Sequence, residues 1–241
     1  REAYMNGYIA DLHFVNGSTA SESSIPTAPM SSVSDTKLLI KGTDAHVLDK
    51  SQTGNIKLYG NAASAAITHT GFDPYALRLQ GSNNNHSRHD SPIRLAGPFT
   101  VEAWFNASAF GGYIWCVGLY IVELKIESTK ARYYTSASGY NDFSYGSTLN
   151  TGQWYHIAVC RDTNNLVQCW LDGTRLSSSY TYSTTYEGDY TIIGGEAASA
   201  NGSTTNDVFN GYIQDLRISN GLARYSAADE TSNIPSAPLK G

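Results

Sequence analysis

Residues 209–225, FNGYIQDLRISNGLARY, read as a β-strand whose alternation breaks once. Tyr212, Gln214, Leu216 and Ile218 share one parity, while Ile213 falls on the other beside Asp215. Successive strand residues point to opposite faces, so Ile213, Leu216 and Ile218 can share one core only if an extra residue is accommodated between them. A β-bulge near Gln214 and Asp215 does this, bending the strand and re-aiming the Asp side chain. Asn220-Gly221 tolerates positive φ and ends the strand in a turn. The IPSAP tail at residues 234–238 can neither continue a ladder nor start a helix.

The same ending occurs near the start, as YMNGYIADLHFVNG at residues 4–17 and IPTAP at 25–29. Between residues 6–17 and 210–221, eight of twelve positions are identical, including Gly7, Ile9, Asp11 and Leu12 against Gly211, Ile213, Asp215 and Leu216. The offset is 204 at the Asn-Gly-Tyr and 209 at the Pro, which fits one complete unit preceded by the last piece of another. The expected division is residues 1–30 as the closing strand and tail of a preceding repeat, 31–36 as a Ser-rich linker and 37–241 as the complete domain. A lone closing strand needs a sheet for its backbone and for Ile9, Leu12 and Phe14. An upstream unit supplies one most simply. The alternative is a neighbouring subunit whose sandwich the strand augments, linking copies head to tail.

No window shows sustained helical periodicity. Residues 99–106 give the clearest strand, with Phe99, Val101, Ala103 and Phe105 on one face and Thr100, Glu102, Trp104 and Asn106 on the other. Residues 154–161 and 166–171 form a hairpin, and Asp172-Gly173 starts another tight turn. Residues 81–91, GSNNNHSRHDS, read as a polar loop. Short strands punctuated by turns over some 200 residues imply an all-β, antiparallel sandwich.

An apolar share of 41% suffices for one sizeable core. A net charge of −5 without a Lys/Arg run argues against nucleic acid as a partner. No apolar run approaches the roughly 18–20 residues of a membrane span, and REAYMNGYIA is not a signal peptide. Cys116, Cys160 and Cys169 are too few and too scattered for a disulfide framework or a zinc site, and read as buried thiols. Cys160 and Cys169 flank the turn RDTNN and fall on adjacent strands.

LLIKGTD, LDKSQTGN, YALRLQGSN, FTVEAWFN, TGQWYHIAVCRD, VQCWLDGTRL, YTIIGG and FNGYIQDLRISNGLARY occur in this order. Together they resemble the laminin-G-like, concanavalin A-like jelly-roll domains, over residues 35–238 plus the partial copy at 4–29. The resemblance implies a two-sheet antiparallel jelly-roll sandwich of about a dozen strands, serving adhesion or glycan binding. The ending particularly resembles copies in phage virion and tail-associated proteins, which implies a virion or extracellular surface location. Fold does not fix function.

Three chemistries are weighed against the residues. Catalytic relatives carry closely spaced carboxylates on one strand, and retaining glycoside hydrolysis needs two carboxyls about 5–5.5 Å apart. Here Glu102 stands alone in its strand, and Glu123 and Glu127, with Lys125 between them, read as a solvated charge ladder. No catalytic residue is assigned and the chain is read as non-enzymatic. For metal, the family implies a structural Ca²⁺ near the loop LDKSQTGN, held by Asp49, Ser51 and Asn55 with Asp215; hard oxygen ligands suit it. The plainer alternative pairs Asp215 with Arg217. His86, His89 and Asp90 read as a solvated group rather than a transition-metal site.

For contact, Tyr133, Tyr134, Tyr140, Asn141, Asp142 and Tyr145 mix aromatic faces with polar groups, and Tyr182 and Tyr186 do so again within SSYTYSTTYEGDY. The mixture suits a sugar, and equally a protein partner; Tyr is also simply at home in exposed strands. The expected function is a structural or adhesive module of a virion or surface assembly, homo-oligomeric, with other assembly proteins and a cell-surface glycan as partners. The alternative is a soluble lectin with a defined pocket. Asn16, Asn85, Asn106 and Asn201 head N-x-S sequons.

Overall fold

The computed structural model describes residues 12–15, 36–42 and 47–49 through their strands, and residues 56–72 and 74–225 with their side chains. The chain divides into two units, residues 1–55 with Gly241, and residues 56–240. In the first, β1 (Leu12–Val15), β2 (Thr36–Gly42) and β3 (Val47–Asp49) form a three-stranded sheet in that order. The partial copy of the closing strand therefore pairs, antiparallel, with the KLLIK segment: Leu12 lies opposite Ile40 and Phe14 opposite Leu38.

The second unit is built from β4 (Ile56–Leu58), β5 (Ala63–Ala66), β6 (Tyr75–Gln80), β7 (Ser87–His89), β8 (Ile93–Leu95), β9 (Phe99–Ala109), β10 (Gly112–Val117), β11 (Val122–Ile126) and β12 (Lys130–Thr135). It continues with β13 (Gly139–Ser144), β14 (Trp154–Arg161), β15 (Leu166–Leu171), β16 (Thr174–Thr181), β17 (Tyr186–Gly188), β18 (Thr191–Ile193), β19 (Glu196–Ala197), β20 (Thr205–Asn206) and β21 (Asn210–Asn220). Two seven-stranded antiparallel sheets result, ordered β13-β12-β11-β10-β18-β7-β4 and β16-β15-β14-β9-β21-β6-β5. This is the expected all-β jelly-roll sandwich. Among the described residues no helix is long and apolar enough to cross a membrane.

Alternation builds the core. Phe99, Val101, Ala103 and Phe105 of β9 join Ile157 and Val159 of β14, while Val122, Leu124 and Ile126 of β11 come from the other sheet. All are buried, and each large side chain contributes roughly 1.5–3 kcal/mol by leaving water. At one edge Tyr180 donates to the Asp142 carbonyl at 2.8 Å and Tyr182 to Asn141 Oδ1 at 2.6 Å, closing the sandwich between β16 and β13.

The bulge in the closing strand is where the parity break places it. The register of β21 on β9 shifts between Gln214 and Arg217, and Asp215 takes a φ of 51°. Gly211, repeated as Gly7, has its own reason: a Cβ there would stand 2.1 Å from the Asn106 carbonyl oxygen. The Asn220-Gly221 turn uses positive φ only at Gly221, at 81°.

One expectation is corrected. The polar stretch 81–91 contains a strand of the first sheet, β7. Its polarity is absorbed inside, because His86 stacks on Tyr59 at 4.4 Å and its Nδ1 lies 3.2 Å from Thr205 Oγ1. Cys160 and Cys169 do lie on adjacent strands, but Val159 is opposite Cys169 and Cys160 opposite Gln168, so the two thiols point to opposite faces. All three cysteines are buried and free. Asn85 and Asn106 are buried, leaving Asn201 as the exposed sequon among the described residues.

Candidate functional site

The first sheet has one face in the core and one outside. On β11 the core takes Val122, Leu124 and Ile126, so Glu123 and Lys125 point outward. Register carries that choice across the sheet. Cys116, Glu123, Tyr134 and Tyr140 form one outward row over β10 to β13, and Tyr113, Lys125, Arg132 and Asp142 form the next.

The two rows make a tyrosine-rich face with paired charges. The rings of Tyr134 and Tyr140 are 5.1 Å apart, and the Arg132 guanidinium sits 5.1 Å from the Tyr140 ring. Asp142 accepts from Arg132 at 3.0 Å and from Lys130 at 2.6 Å, with Glu127 3.5 Å from Arg132. Lys125 lies over the Tyr113 ring at 5.0 Å and reaches Asp207 at 2.5 Å. Tyr113 and Tyr140 meet through their hydroxyls at 3.1 Å, bridging the strands between them. Tyr140 is 53% exposed, and Tyr120 on the β10–β11 turn is 43% exposed. The face therefore offers open aromatic rings beside charged donors and acceptors.

Glu123 is the anomaly on it. The residue is fully buried, and neither carboxylate oxygen has a hydrogen-bond partner. Burial first, and then the charge of Glu196, push its carboxyl up to about 8, against a small opposing pull from Lys125. The solvated charge ladder expected for Glu123 and Glu127 is thus corrected: Glu127 sits in the Lys130–Arg132 network, and Glu123 is an enclosed acid.

Of the residues expected at the contact site, Tyr134, Tyr140 and Asp142 come together on this face. Tyr133, Asn141 and Tyr186 do not; they are buried, and Tyr145 and Tyr182 pack half-buried against the core. Neighbours in a strand face opposite ways, so Tyr133 and Tyr134 could never share a surface. Arg132, two residues before Tyr134, was recoverable from that parity. Tyr113, Glu123 and Glu196 were not, because only the register and the β19–β20 hairpin bring them near.

On the outer side of the second sheet, Glu102 has a different fate. It accepts from Arg217 at 2.7 and 2.9 Å and from Tyr225 at 2.6 Å, and His156 Nε2 approaches to 3.2 Å. Burial works against its charge, but these partners outweigh it and bring the carboxyl down to about 2. Arg217 is therefore engaged by Glu102. The side chains of Asp49, Ser51 and Asn55 lie outside the described residues. Among the described residues, no three or more His, Cys, Asp or Glu gather as a metal site. Asp90 pairs with Lys57 and Arg88 instead. A concavity away from this face is lined mainly by apolar residues, among them Ile56, Leu58, Tyr75, Ile193, Ile213 and Leu216, with Gln214 and Asp215 at its wall.

A laminin-G family model, described as the concanavalin A-like lectin/glucanases superfamily, matches residues 79–224. The chain belongs to this superfamily. Solved structures with the same fold include the native heptameric SAP-like pentraxin from Limulus polyphemus, 17% identical with a TM-score of 0.50, covering 58% of this chain and 73% of that one. Another is domain 4 of a GH43 extracellular arabinanase from Geobacillus stearothermophilus in complex with arabinotriose, 18% identical with a TM-score of 0.51, covering 73% and 87%. The botulinum neurotoxin type G receptor binding domain is 11% identical with a TM-score of 0.52, covering 80% of this chain and 49% of that one. No curated protein sequence matches the chain. At these identities the likeness speaks for the superfamily fold alone.

Proposed function

We propose that this superfamily member is a non-enzymatic adhesive module whose outer face on β10–β13 binds carbohydrate, displayed on a virion or other extracellular surface assembly. One observation carries the reading: Tyr140 stands half-exposed beside Tyr134, with Arg132 and Asp142 hydrogen-bonded next to it. An aromatic face takes the C–H side of a sugar while a fixed cation–carboxylate pair addresses its hydroxyls. The solved relative holding arabinotriose and the one named as receptor-binding support a contact role. The non-catalytic part is supported by Glu102, whose carboxylate is committed to Arg217 and Tyr225, leaving it no proton to give and no free lone pair directed at a substrate. The surface setting rests on the repeated closing strand and its resemblance to virion proteins. A glycan array probed with the full chain and with Tyr140→Ala tests the reading. Binding that Tyr140→Ala abolishes supports it; no binding to any glycan by a folded wild type refutes it and leaves assembly through protein contacts.

A further inference from the structure

On and beside the β10–β13 face, Glu127 and Asp142 share Lys130 and Arg132, and Asp207 has Lys125. Glu123 has no such partner, although it is fully buried and lies in the same outward row as Tyr134 and Tyr140. Buried polar groups are almost always partnered, so an orphaned carboxyl under an aromatic surface calls for a missing partner. Glu196 lies close enough for its charge to be felt by Glu123 and by Tyr113 and Tyr120. Phenol rings attract a cation through their faces, and Glu196, with the carboxylate Glu123 becomes once it gives up its proton, adds plain charge. The resident Lys125 and Arg132, each about 5 Å from a tyrosine ring, show the rings already used in this way.

We propose that the glycan group recognised at this face is a cationic amine, an unacetylated amino sugar seated on Tyr134 and Tyr140, with buried Tyr113 and Glu123 beneath. The inference rests on the reading of this face as the carbohydrate contact. The amine takes the place of the Tyr113–Tyr140 hydroxyl contact, which half-exposed Tyr140 can release. A neutral or N-acetylated sugar brings no charge to offset the desolvation of Glu123, and an acidic sugar is repelled. The groups facing Glu123 are Cys116, Glu196 and Lys125, with the tyrosines Tyr113, Tyr120, Tyr134 and Tyr190 and, through Lys125, Asp207. With its carboxyl raised by burial to about 8, Glu123 is protonated at pH 6, so an arriving cation expels that proton.

The test is calorimetric titration of the full chain at pH 6 with trisaccharides of glucosamine, N-acetylglucosamine and glucose, in two buffers of different ionisation enthalpy. The glucosamine trimer binds at least tenfold tighter than the other two and releases a proton. Glu123→Gln and Tyr140→Ala each lose about tenfold, and Glu123→Gln also loses the proton release. Asp162→Asn, on the β14–β15 turn of the other sheet, binds as wild type. Equal or tighter binding of the acetylated or neutral trimer overturns the amine and leaves the glycan face standing. Equal loss in Asp162→Asn marks diffuse attraction to an acidic chain and also overturns it. Silence of all three, with a different ligand found on the array, does the same; silence of the array removes the face itself.

Discussion

Replacing Glu123 by Gln removes one titration and almost no volume, so its effect on stability is a function of pH. The carboxyl stands at about 8 in the folded chain against an ordinary 4.5. Between those values the folded state holds a proton that the unfolded state has released. Stability from this group is therefore complete below pH 4.5 and falls as pH rises, by about 1.4 kcal/mol per unit, until it is lost above 8. At pH 7 the deficit is roughly 3 kcal/mol, which Glu123→Gln does not suffer. Wild type and variant should melt together near pH 4.5. At pH 7 the variant should melt higher by roughly 6–12 °C, taking about 2–4 °C per kcal/mol for a unit of this size. Calorimetric or fluorescence melts at pH 4.5, 6, 7 and 8 read the difference directly, and groups common to both proteins cancel. Parallel curves across that range would refute an enclosed, proton-holding Glu123.

Other outcomes follow from the same structure. Glu102, held near 2 by Arg217, Tyr225 and His156, contributes about 3 kcal/mol that is present above pH 4.5 and lost as pH falls toward 2; Glu102→Gln should flatten that acid limb in urea titrations. Arg161 is fully buried, donates to the carbonyls of Leu95, Gly97 and Thr184, and lies over the Phe99 and Tyr186 rings. Arg161→Met orphans those carbonyls and should cost about 3 kcal/mol, and Arg161→Lys nearly as much, because one ammonium cannot span them; a loss under 1 kcal/mol in chemical denaturation would contradict this. Burial raises all three thiols, Cys160 to about 11. A thiol reagent at pH 8 should label none in the native chain and three after unfolding, and mild oxidation should leave no Cys160–Cys169 bond.

The closing strand was legible because its parity break has one physical solution: Ile213, Leu216 and Ile218 cannot share a core without the bulge that gives Asp215 its positive φ. The alternation of residues 99–106 likewise gave β9 directly. The contact face was legible only in part. Pattern finds Tyr134, Tyr140 and Asp142 but cannot separate them from Tyr133 and Asn141, since which parity faces the core depends on the opposite sheet. Residues 81–91 misled because polarity normally means solvent, whereas Asn85 and His86 are buried here, Asn85 accepting from the Asn61 N–H and His86 Nδ1 meeting Thr205 Oγ1. Glu123 misled for the converse reason: a Glu-x-Lys-x-Glu run looks solvated, yet Glu123 is fully buried.

The most direct test of the carbohydrate face is a two-dimensional amide NMR titration with the best array ligand. The account predicts shifts confined to β10–β13, centred on Arg132, Tyr134, Tyr140 and Asp142. Shifts centred instead on the apolar concavity of Ile56, Leu58 and Tyr75 would place the ligand elsewhere and contradict it.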